Sequence, residues 1–266
     1  MFNCDVASVY ITPLPALAAP DESAGTPLLV VNDPSKKSLL GIPEWLAQIN
    51  EDISRALERG VNIRQLVAAR ACAIDELLSS LFLWFELEQT DLALFAIGGY
   101  GRGELSLYSD IDILLLSPDD IGTEVSTKID RLVAMLWDVG LEPALAVRSV
   151  DECLEAAHDH TVASSLLEAR LLIGNNDLKD TPIAVVNKLW SQLDFYEIKI
   201  EESKNRYLHH NATEYNLEPN IKTAPGGLRD IHIIGWVTKR YFRVGKLYDL
   251  VQQSFLTEKE YDELSF

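Results

Sequence analysis

The 266-residue sequence predicts an α+β fold, in which a small mixed sheet is flanked by N-terminal helices and followed by a C-terminal helical domain. Two apolar runs, residues 92–97 and 111–116, have the pattern of buried strands. The stretches on either side repeat apolar residues at helical spacing. A chain of this length, with 47% hydrophobic residues, can bury one large core or two smaller ones.

Two helices are predicted before the first strand. Pro43 suits the first turn of one helix, and Gly60 ends it. Asn62 caps the second helix, with Gln65 at the capping-box position. The apolar stripe of this second helix is wide, which is typical of core packing rather than of a cofactor site. We therefore expect both helices to brace the first strand.

The remaining elements follow the second apolar run. An amphipathic helix ends at Gly140, and the alternating residues 141–150 predict a third strand. Further helices are predicted over residues 151–160, over residues 161–171 with Gly174 as their end, and from Pro182 to about His210.

The most informative feature is a pair of aspartates next to a glycine turn. Asp110 and Asp112 stand two residues apart at the start of the second strand, so their side chains share one face. Gly98 and Gly99 end the first strand, and without Cβ atoms their backbone can closely approach a triphosphate. Carboxylate oxygens are suitable ligands for Mg²⁺. A site with two Mg²⁺ ions can stabilise both the attacking and the leaving oxygen of a phosphoryl transfer. The alternative is an ordinary hairpin with two solvated aspartates.

Other polar residues are candidates for nucleotide binding. The Ser109 hydroxyl lies beside the first aspartate, and Arg102 could pair with phosphate charge. Lys222 and Arg229 flank a Pro-Gly-Gly turn and bring positive charge into an acidic chain, as a triphosphate requires.

Composition and charge limit the possible partners. The formal net charge of −18 argues against a general nucleic-acid binder, which needs a basic surface. No apolar stretch reaches membrane-spanning length, so we expect no membrane partner. The three cysteines are widely spaced, which predicts reduced thiols in a cytoplasmic protein. His158-Asp159-His160 could belong to a phosphohydrolase metal site, but a solvated helix end explains it adequately.

The glycine pair at 98–99 followed by Ser-Asp-Ile-Asp at 109–112 resembles the signature of the DNA polymerase β-like nucleotidyltransferases. Further segments are similar to the nucleotidyltransferase region of the PII-protein uridylyltransferase/uridylyl-removing family: GGYGRGEL, YSDIDILLL, LWDVGLE, VRSVDECLEA, LLEARLLIG, YNLEPNIK and PGGLRDIH. The Asp-x-Asp motif identifies only the superfamily, whereas PGGLRDIH is much narrower. The resemblance covers most of the chain.

The resemblance implies an activity and a set of site residues. The enzyme would transfer UMP from UTP to a tyrosine of the PII signal protein and release pyrophosphate. Asp110 and Asp112 would hold two Mg²⁺ ions, with Glu142 as a third carboxylate ligand. Glu142 is the only carboxylate in the predicted third strand, since capping of the next helix explains Asp151 at the end of that strand adequately. A protein adenylyltransferase of the same superfamily and a non-catalytic nucleotide-binding module are the alternatives.

The resemblance also implies a domain organisation. We expect a poorly ordered lead-in over residues 1–38, a nucleotidyltransferase core with its bracing helices over 39–160, and a helical domain over 161–266 that is truncated before an HD domain. The family removes UMP with that HD hydrolase domain and senses glutamine with ACT domains, and we expect both to be absent from this chain.

Two departures from the family pattern lie near the predicted site. Ser106-Leu107 stands where the family usually has His-Pro, and Ala144-Leu145-Ala146 stands where it usually has Gly-His-Ser. Each change deletes a polar group. These departures motivate the alternative of a module that binds a nucleotide without turnover.

Overall fold

A computed structural model describes residues 41–209, 220–242, 248–252 and 254–264. The predicted lead-in, the predicted helix end at His210 and part of the YNLEPNIK segment lie outside the described residues. The helices are α1 (Ile42–Glu58), α2 (Ile63–Trp84), α3 (Gly98–Gly101), α4 (Thr123–Asp138), α5 (Val150–Ala156), α6 (His160–Leu167), α7 (Thr181–Leu189), α8 (Gln192–His209), α9 (Leu228–Phe242), α10 (Asp249–Gln252) and α11 (Glu258–Leu264). The strands are β1 (Ala93–Ala96), β2 (Ile111–Ser117), β3 (Pro143–Ser149) and β4 (Arg170–Gly174).

The four strands form one mixed sheet in the order β3-β2-β1-β4. β1 is antiparallel to β2 and to β4, whereas β2 and β3 are parallel. Ala96 at the end of β1 pairs with Ile113 near the start of β2. The glycines after β1 and the aspartates at the start of β2 therefore meet at one edge of the sheet. The prediction of an α+β fold with a small mixed sheet is confirmed.

One hydrophobic core joins the first helices to the sheet. Every residue of β1 is buried, and α1, α2 and α4 pack apolar side chains into the same cluster as β1 and β2. Ile74, Leu77 and Leu81 of α2 are fully buried there, with Leu94 of β1. The predicted apolar stripe of α2 is core packing, and it braces the first strand as expected.

The predicted ends of the first two helices are also found. Pro43 lies in the first turn of α1, and Gly60 follows the end of α1 with a φ of 81°, a left-handed conformation that favours glycine. The Asn62 side chain accepts a hydrogen bond from the backbone N–H of Arg64 at 2.9 Å, which caps α2.

Two helix predictions in the second half of the chain are wrong. The predicted helix over 161–171 ends at Leu167, and Arg170–Gly174 instead forms β4 against β1. A short Leu-Leu-Ile run suits either state, and pairing with the central strand decides the outcome. The helix predicted from Pro182 to about His210 is interrupted after Leu189, because Ser191 and Asp194 form a capping pair that begins α8.

The described residues divide into two compact units. The first holds the sheet and comprises the residues up to Cys153 together with Glu168–Pro182. The second comprises Leu154–Leu167 and the residues from Ile183 onward. The domain boundary predicted at residues 160 and 161 stays a prediction.

Two further observations concern composition. Within the described ranges, no helix combines the length and the apolar character needed to cross a membrane. Cys153 is buried and free, whereas Cys72 is disulfide-bonded. The expectation of reduced thiols throughout is therefore wrong for Cys72, because the spacing of cysteines in a sequence does not reveal which of them meet in space.

Candidate nucleotide-binding site

The two predicted metal carboxylates lie at the start of β2. Asp112 is the second residue of the strand and is half-buried, whereas Asp110 directly precedes the strand and is exposed. The backbone N–H of Ile97 donates to the carbonyl oxygen of Asp112 at 3.0 Å. This bond extends the pairing between β1 and β2 by one step, so that the glycine turn begins directly beside Asp112.

Gly98 and Gly99 form a short helical turn, α3, rather than an irregular loop. Gly98 has a φ of 58°, and a Cβ atom built on it would lie 3.0 Å from Oδ2 of Asp112. A side chain at position 98 would therefore be strained and would push against the Asp112 carboxylate. Gly99 differs, because a Cβ atom there would meet only ordinary contacts at 3.5 Å or more.

Gly101 is the most tightly packed glycine of α3, although no sequence pattern points to it. A Cβ atom on Gly101 would lie 2.1 Å from the backbone oxygen of Glu168, just before β4. The third glycine of the GGYG run is visible in the sequence, but its partner is 67 residues away, and only the paired strands bring the two together.

Arg102, a predicted phosphate ligand, is held by two carboxylates. Its Nη1 atom donates to both oxygens of Glu168 at 2.7 Å, and its Nε atom donates to Glu104 at 2.7 Å. Burial disfavours the charged guanidinium, but the ion pairs outweigh burial and raise the pKa of Arg102. The positive charge of Arg102 is thus already matched in the chain.

The other predicted nucleotide ligands have different surroundings. Ser109 donates its hydroxyl to the carbonyl oxygen of Ser106 at 2.9 Å, so it closes the turn that leads into Asp110. Lys222 is exposed, and Arg229 lies over the ring of Trp236, with 5.2 Å from the guanidinium carbon to the ring centroid. Lys222 and Arg229 belong to the second unit, and their part in nucleotide binding stays a prediction.

Glu142, the predicted third metal ligand, is exposed and directly precedes β3. The parallel pairing aligns Ile111 with Pro143 and Asp112 with Ala144, so Glu142 lies at the sheet edge that carries Asp110. Among the residues that the structure describes, no three His, Cys, Asp or Glu side chains form a group that could hold a metal ion. The role of Glu142 as a ligand therefore stays a prediction.

The aspartate pair nevertheless fits a Mg²⁺ ion. Mg²⁺ is commonly held by one or two carboxylates, and substrate phosphates and water complete its coordination. Asp110 and Asp112 offer such hard oxygen donors, and glycine at position 98 leaves the space beside Oδ2 of Asp112 that a Cβ atom would fill. The donor set is suited to a metal that arrives together with a nucleotide.

The PGGLRDIH segment of the second unit forms a turn over residues 225–227 and the start of α9. Asp230 accepts hydrogen bonds from Arg206, from the Tyr207 hydroxyl at 2.7 Å and from the Gly226 N–H at 2.8 Å. Burial would raise the pKa of Asp230, but these donors lower it below its usual value. A Cβ atom on Gly227 would lie 2.7 Å from the Ile221 oxygen.

The His-Asp-His segment is accounted for by local contacts. The Asp159 carboxylate accepts from the backbone N–H of Thr161 at 2.6 Å, which caps α6 and lowers the pKa of Asp159. Nδ1 of His160 lies 3.1 Å from Nζ of Lys199, and the His160 carbonyl oxygen accepts from the same ammonium group. These contacts support the helix-end interpretation of the segment.

Comparison with known families defines the class of the first unit. Residues 80–173 match the model of the nucleotidyltransferase domain, and this range includes β1, α3, β2, β3 and all but the last residue of β4. The chain therefore contains a nucleotidyltransferase domain of the polymerase β-like fold. Residues 194–265 match a second model, described as GlnD PII-uridylyltransferase.

Curated relatives narrow the class further. The chain is 72% identical over 268 residues to the bifunctional uridylyltransferase/uridylyl-removing enzyme of Psychrobacter arcticus, covering 100% of this chain and 29% of the relative. The enzyme of the same name from Psychrobacter cryohalolentis is 71% identical over 266 residues, again with 100% and 29% covered. The enzyme from Acinetobacter baylyi is 46% identical over 228 residues, with 85% and 26% covered.

These identities show that the chain is similar to a segment of the bifunctional uridylyltransferase/uridylyl-removing family. The chain spans less than a third of the length of these relatives.

Proposed function

We propose that the chain carries the uridylyltransferase activity of this family: it transfers UMP from UTP to a tyrosine of the PII protein. The phenolic oxygen forms a bond to the α-phosphorus, the bond to the bridging oxygen breaks, and pyrophosphate and a proton leave. The main support is that a chain 72% identical to a uridylyltransferase has Asp112 beside Gly98, with Asp110 two residues before Asp112.

In this proposal Asp110 and Asp112 hold two Mg²⁺ ions, with Glu142 as a candidate third ligand. The metal ions would neutralise phosphate charge and orient the α-phosphate for in-line attack. The acidic pair itself repels a triphosphate, so the carboxylates bind the nucleotide only through cations. Positioning and charge neutralisation then carry most of the catalysis.

The remaining candidate ligands would hold the nucleotide around that centre. The backbone of Gly98 and Gly99 can approach the phosphates, and the Ser109 hydroxyl can turn from the Ser106 oxygen towards them. Arg102 already forms ion pairs with Glu104 and Glu168, and these carboxylates would compete with a phosphate for its guanidinium. Arg102 should therefore bind phosphate more weakly than an arginine without such partners. Lys222 and Arg229 would have to act from the second unit.

The partners follow from the same proposal. The chain binds UTP and the PII protein, and its net charge of −18 disfavours nucleic acid. Removal of UMP and sensing of glutamine would reside in the parts of the relatives that this chain does not span.

We place the activity in the cytoplasm, where UTP and Mg²⁺ are abundant. A disulfide at Cys72 is unusual for a reducing compartment, and a thiol titration of freshly purified chain tests whether Cys72 is oxidised.

A transfer assay tests the proposal. Purified chain, Mg²⁺ and α-labelled UTP are mixed with PII protein, and α-labelled ATP serves as the comparison nucleotide. Label on PII from UTP alone is the expected result. Label from ATP instead would support an adenylyltransferase. UTP binding without transfer would support the non-catalytic module. This alternative is suggested by Ser106-Leu107 and Ala144–Ala146, where the sequence departs from the family pattern.

A matched pair of variants tests the site itself. Asp110→Asn removes a metal carboxylate and should lower the transfer rate by at least about 100-fold without unfolding the chain. Asp119→Asn removes an exposed carboxylate just beyond the opposite end of β2 and should leave transfer unchanged. Wild-type activity in Asp110→Asn would show that the site is wrongly assigned.

A further inference from the structure

Three side chains from three separate elements meet at the glycine turn: Asp75 of α2, Tyr100 of α3 and Arg170 of β4. The Tyr100 hydroxyl donates to Oδ1 of Asp75 at 2.6 Å. Arg170 binds both oxygens of the same carboxylate, from Nη1 to Oδ2 at 2.7 Å and from Nη2 to Oδ1 at 3.1 Å. A single carboxylate from α2 thus joins the turn to the edge strand of the sheet.

Arg170 also binds the backbone of the turn. Its guanidinium donates to the carbonyl oxygens of Tyr100 and Gly101, each at 3.3 Å, and its central carbon lies 5.6 Å from the centre of the Tyr100 ring. The Tyr100 carbonyl oxygen also accepts from the backbone N–H of Gly103 at 2.9 Å, so Arg170 adds a second donor there, and a cation at the end of a helix is favourable. Arg170 therefore holds the end of the turn while Asp75 holds Arg170.

The turn needs this support because its own sequence does not stabilise it. Three of the four residues of α3 are glycines, which lose the most conformational entropy on folding. A single helical turn does not form on its own. Tyr100, by contrast, is only 1% exposed, and burial together with Asp75 raises the pKa of its hydroxyl well above 10, so it stays a donor. Tyr100 is the anchor of an otherwise weak element.

We propose that Asp75 is a positioning residue of the nucleotide site, which acts through Tyr100 and Arg170 to fix the glycine turn against the aspartate pair. Asp75 touches neither nucleotide nor metal in this scheme. Its effect passes through Gly98, whose backbone lies against the Asp112 carboxylate. The inference rests on the proposed function, because it assumes that the turn and the aspartates bind a nucleotide.

A purely structural role for the same contacts makes a different prediction. If the ion pair only stabilised the first unit, its loss would lower the melting temperature and speed amide exchange throughout that unit. A positioning role predicts a local effect, in which the amides of residues 98–102 exchange faster and nucleotide affinity falls. The distinction requires a measurement that resolves the turn from the rest of the unit.

Two variants of the 266-residue chain provide this measurement. Tyr100→Phe removes only the hydroxyl and leaves the Asp75–Arg170 ion pair in place, whereas Asp75→Asn also removes the carboxylate charge. Glu86→Gln is the control, because it removes another ion pair of the first unit, the one between Glu86 and Lys128 at 3.4 Å, which includes no residue of the turn. Calorimetry with UTP and Mg²⁺ gives affinity, and hydrogen–deuterium exchange gives local opening.

We expect Tyr100→Phe to weaken UTP binding by about 10-fold, with faster exchange at residues 98–102 and unchanged exchange in α1 and α4. Glu86→Gln should bind UTP as the unsubstituted chain does. Unchanged affinity in Tyr100→Phe would overturn the inference, whether or not the turn opens, and so would uniformly faster exchange across the unit. If Asp75→Asn does not fold, Tyr100→Phe decides alone. Failure of the unsubstituted chain to bind UTP would instead refute the proposed function, and this inference with it.

Discussion

The backbone of Gly98 lies so close to Asp112 that a single added carbon atom at position 98 would be 3.0 Å from Oδ2 of the carboxylate. Two constraints coincide at this glycine, because its φ of 58° is also in the left-handed region. The glycine turn and the aspartate pair are therefore one structural unit rather than two neighbouring motifs. A side chain added at position 98 would therefore press on the Asp112 carboxylate.

The first prediction separates these two constraints. Gly98→Ala should destabilise the chain by about 1 kcal/mol through its left-handed backbone, and should also weaken UTP binding by displacing the Asp112 carboxylate. Gly103→Ala is the matched control, because Gly103 has a φ of 76° but nothing lies within 4 Å of a Cβ atom there. Thermal unfolding and UTP calorimetry on both variants provide the measurement.

Similar losses of stability in the two variants, with weaker UTP binding only in Gly98→Ala, would agree with this account. Equal UTP affinity in both variants would show that the contact between position 98 and Asp112 has no part in nucleotide binding.

The sequence was sufficient to predict the central strands and the aspartate pair, because their signals are local. Two buried strands around a glycine pair and an Asp-x-Asp motif require no knowledge of distant residues. The third strand was predicted for the same reason, and β3 occupies Pro143–Ser149 within the predicted range. These elements are specified by alternation and by turn residues.

The strand β4 and the contacts of α3 could not be predicted, because they depend on residues far apart in the sequence. The apolar spacing predicts a helix at Arg170, whereas the pairing of Arg170 with Asp75 crosses 95 residues. The contact of Arg102 with Glu168 crosses 66 residues, so an arginine that resembles a phosphate ligand in the sequence proves to be engaged with a carboxylate. Local patterns carry no information about such partners.

A second prediction concerns Glu142 as a third metal ligand. Glu142→Gln should raise the Mg²⁺ concentration needed for half-maximal transfer by about 10-fold, because Glu142 lies at the sheet edge of Asp110 and would share the metal. The measurement is a Mg²⁺ titration of transfer at saturating UTP. Glu76→Gln, on an exposed position of α2, is the control for loss of a surface charge. Identical titrations for the two variants would exclude Glu142 from the metal site.

A third prediction concerns Asp230, which joins the turn before α9 to α8. The variant Asp230→Asn should lower the free energy of unfolding of the second unit by about 2 kcal/mol at neutral pH, because hydrogen bonds to a charged carboxylate from Arg206, Tyr207 and Gly226 are weakened. Chemical denaturation followed by circular dichroism measures the difference.

The pH dependence of this difference follows from the lowered pKa of Asp230. A carboxyl group whose pKa is lower in the folded state stabilises the fold above its unfolded pKa of about 3.9, and this contribution is lost as the pH falls through the folded pKa. The wild-type advantage over Asp230→Asn should therefore shrink below about pH 4. Asp262→Asn, an exposed position in α11, should show no comparable effect at any pH.

The last prediction concerns Lys199, whose side chain is 1% exposed although it carries an ammonium group. The ammonium donates to Glu202 at 2.8 Å and to the His160 carbonyl oxygen at 3.1 Å, and it lies 5.0 Å from the centre of the Trp236 ring. Burial lowers the pKa of Lys199, with a smaller contribution from repulsion by Arg229, and the attraction of Glu202 only partly offsets this effect.

The sign of the pH effect follows from that lowered pKa. In the unfolded chain Lys199 releases its proton near its ordinary pKa of about 10.4, whereas the folded chain releases it at a lower pH. Between these two values the unfolded chain binds more protons, so the free energy of unfolding rises with pH. We therefore expect the wild type to gain stability relative to Lys199→Met as the pH is raised from the folded pKa towards about 10.4.

Urea unfolding at several alkaline pH values makes the comparison. The control is Lys188→Met, at an exposed position in α7, whose free energy of unfolding should change with pH as that of the wild type does. A constant difference between the wild type and Lys199→Met would show that the buried ammonium keeps its ordinary pKa, and that Glu202 and the Trp236 ring fully replace the water it has lost.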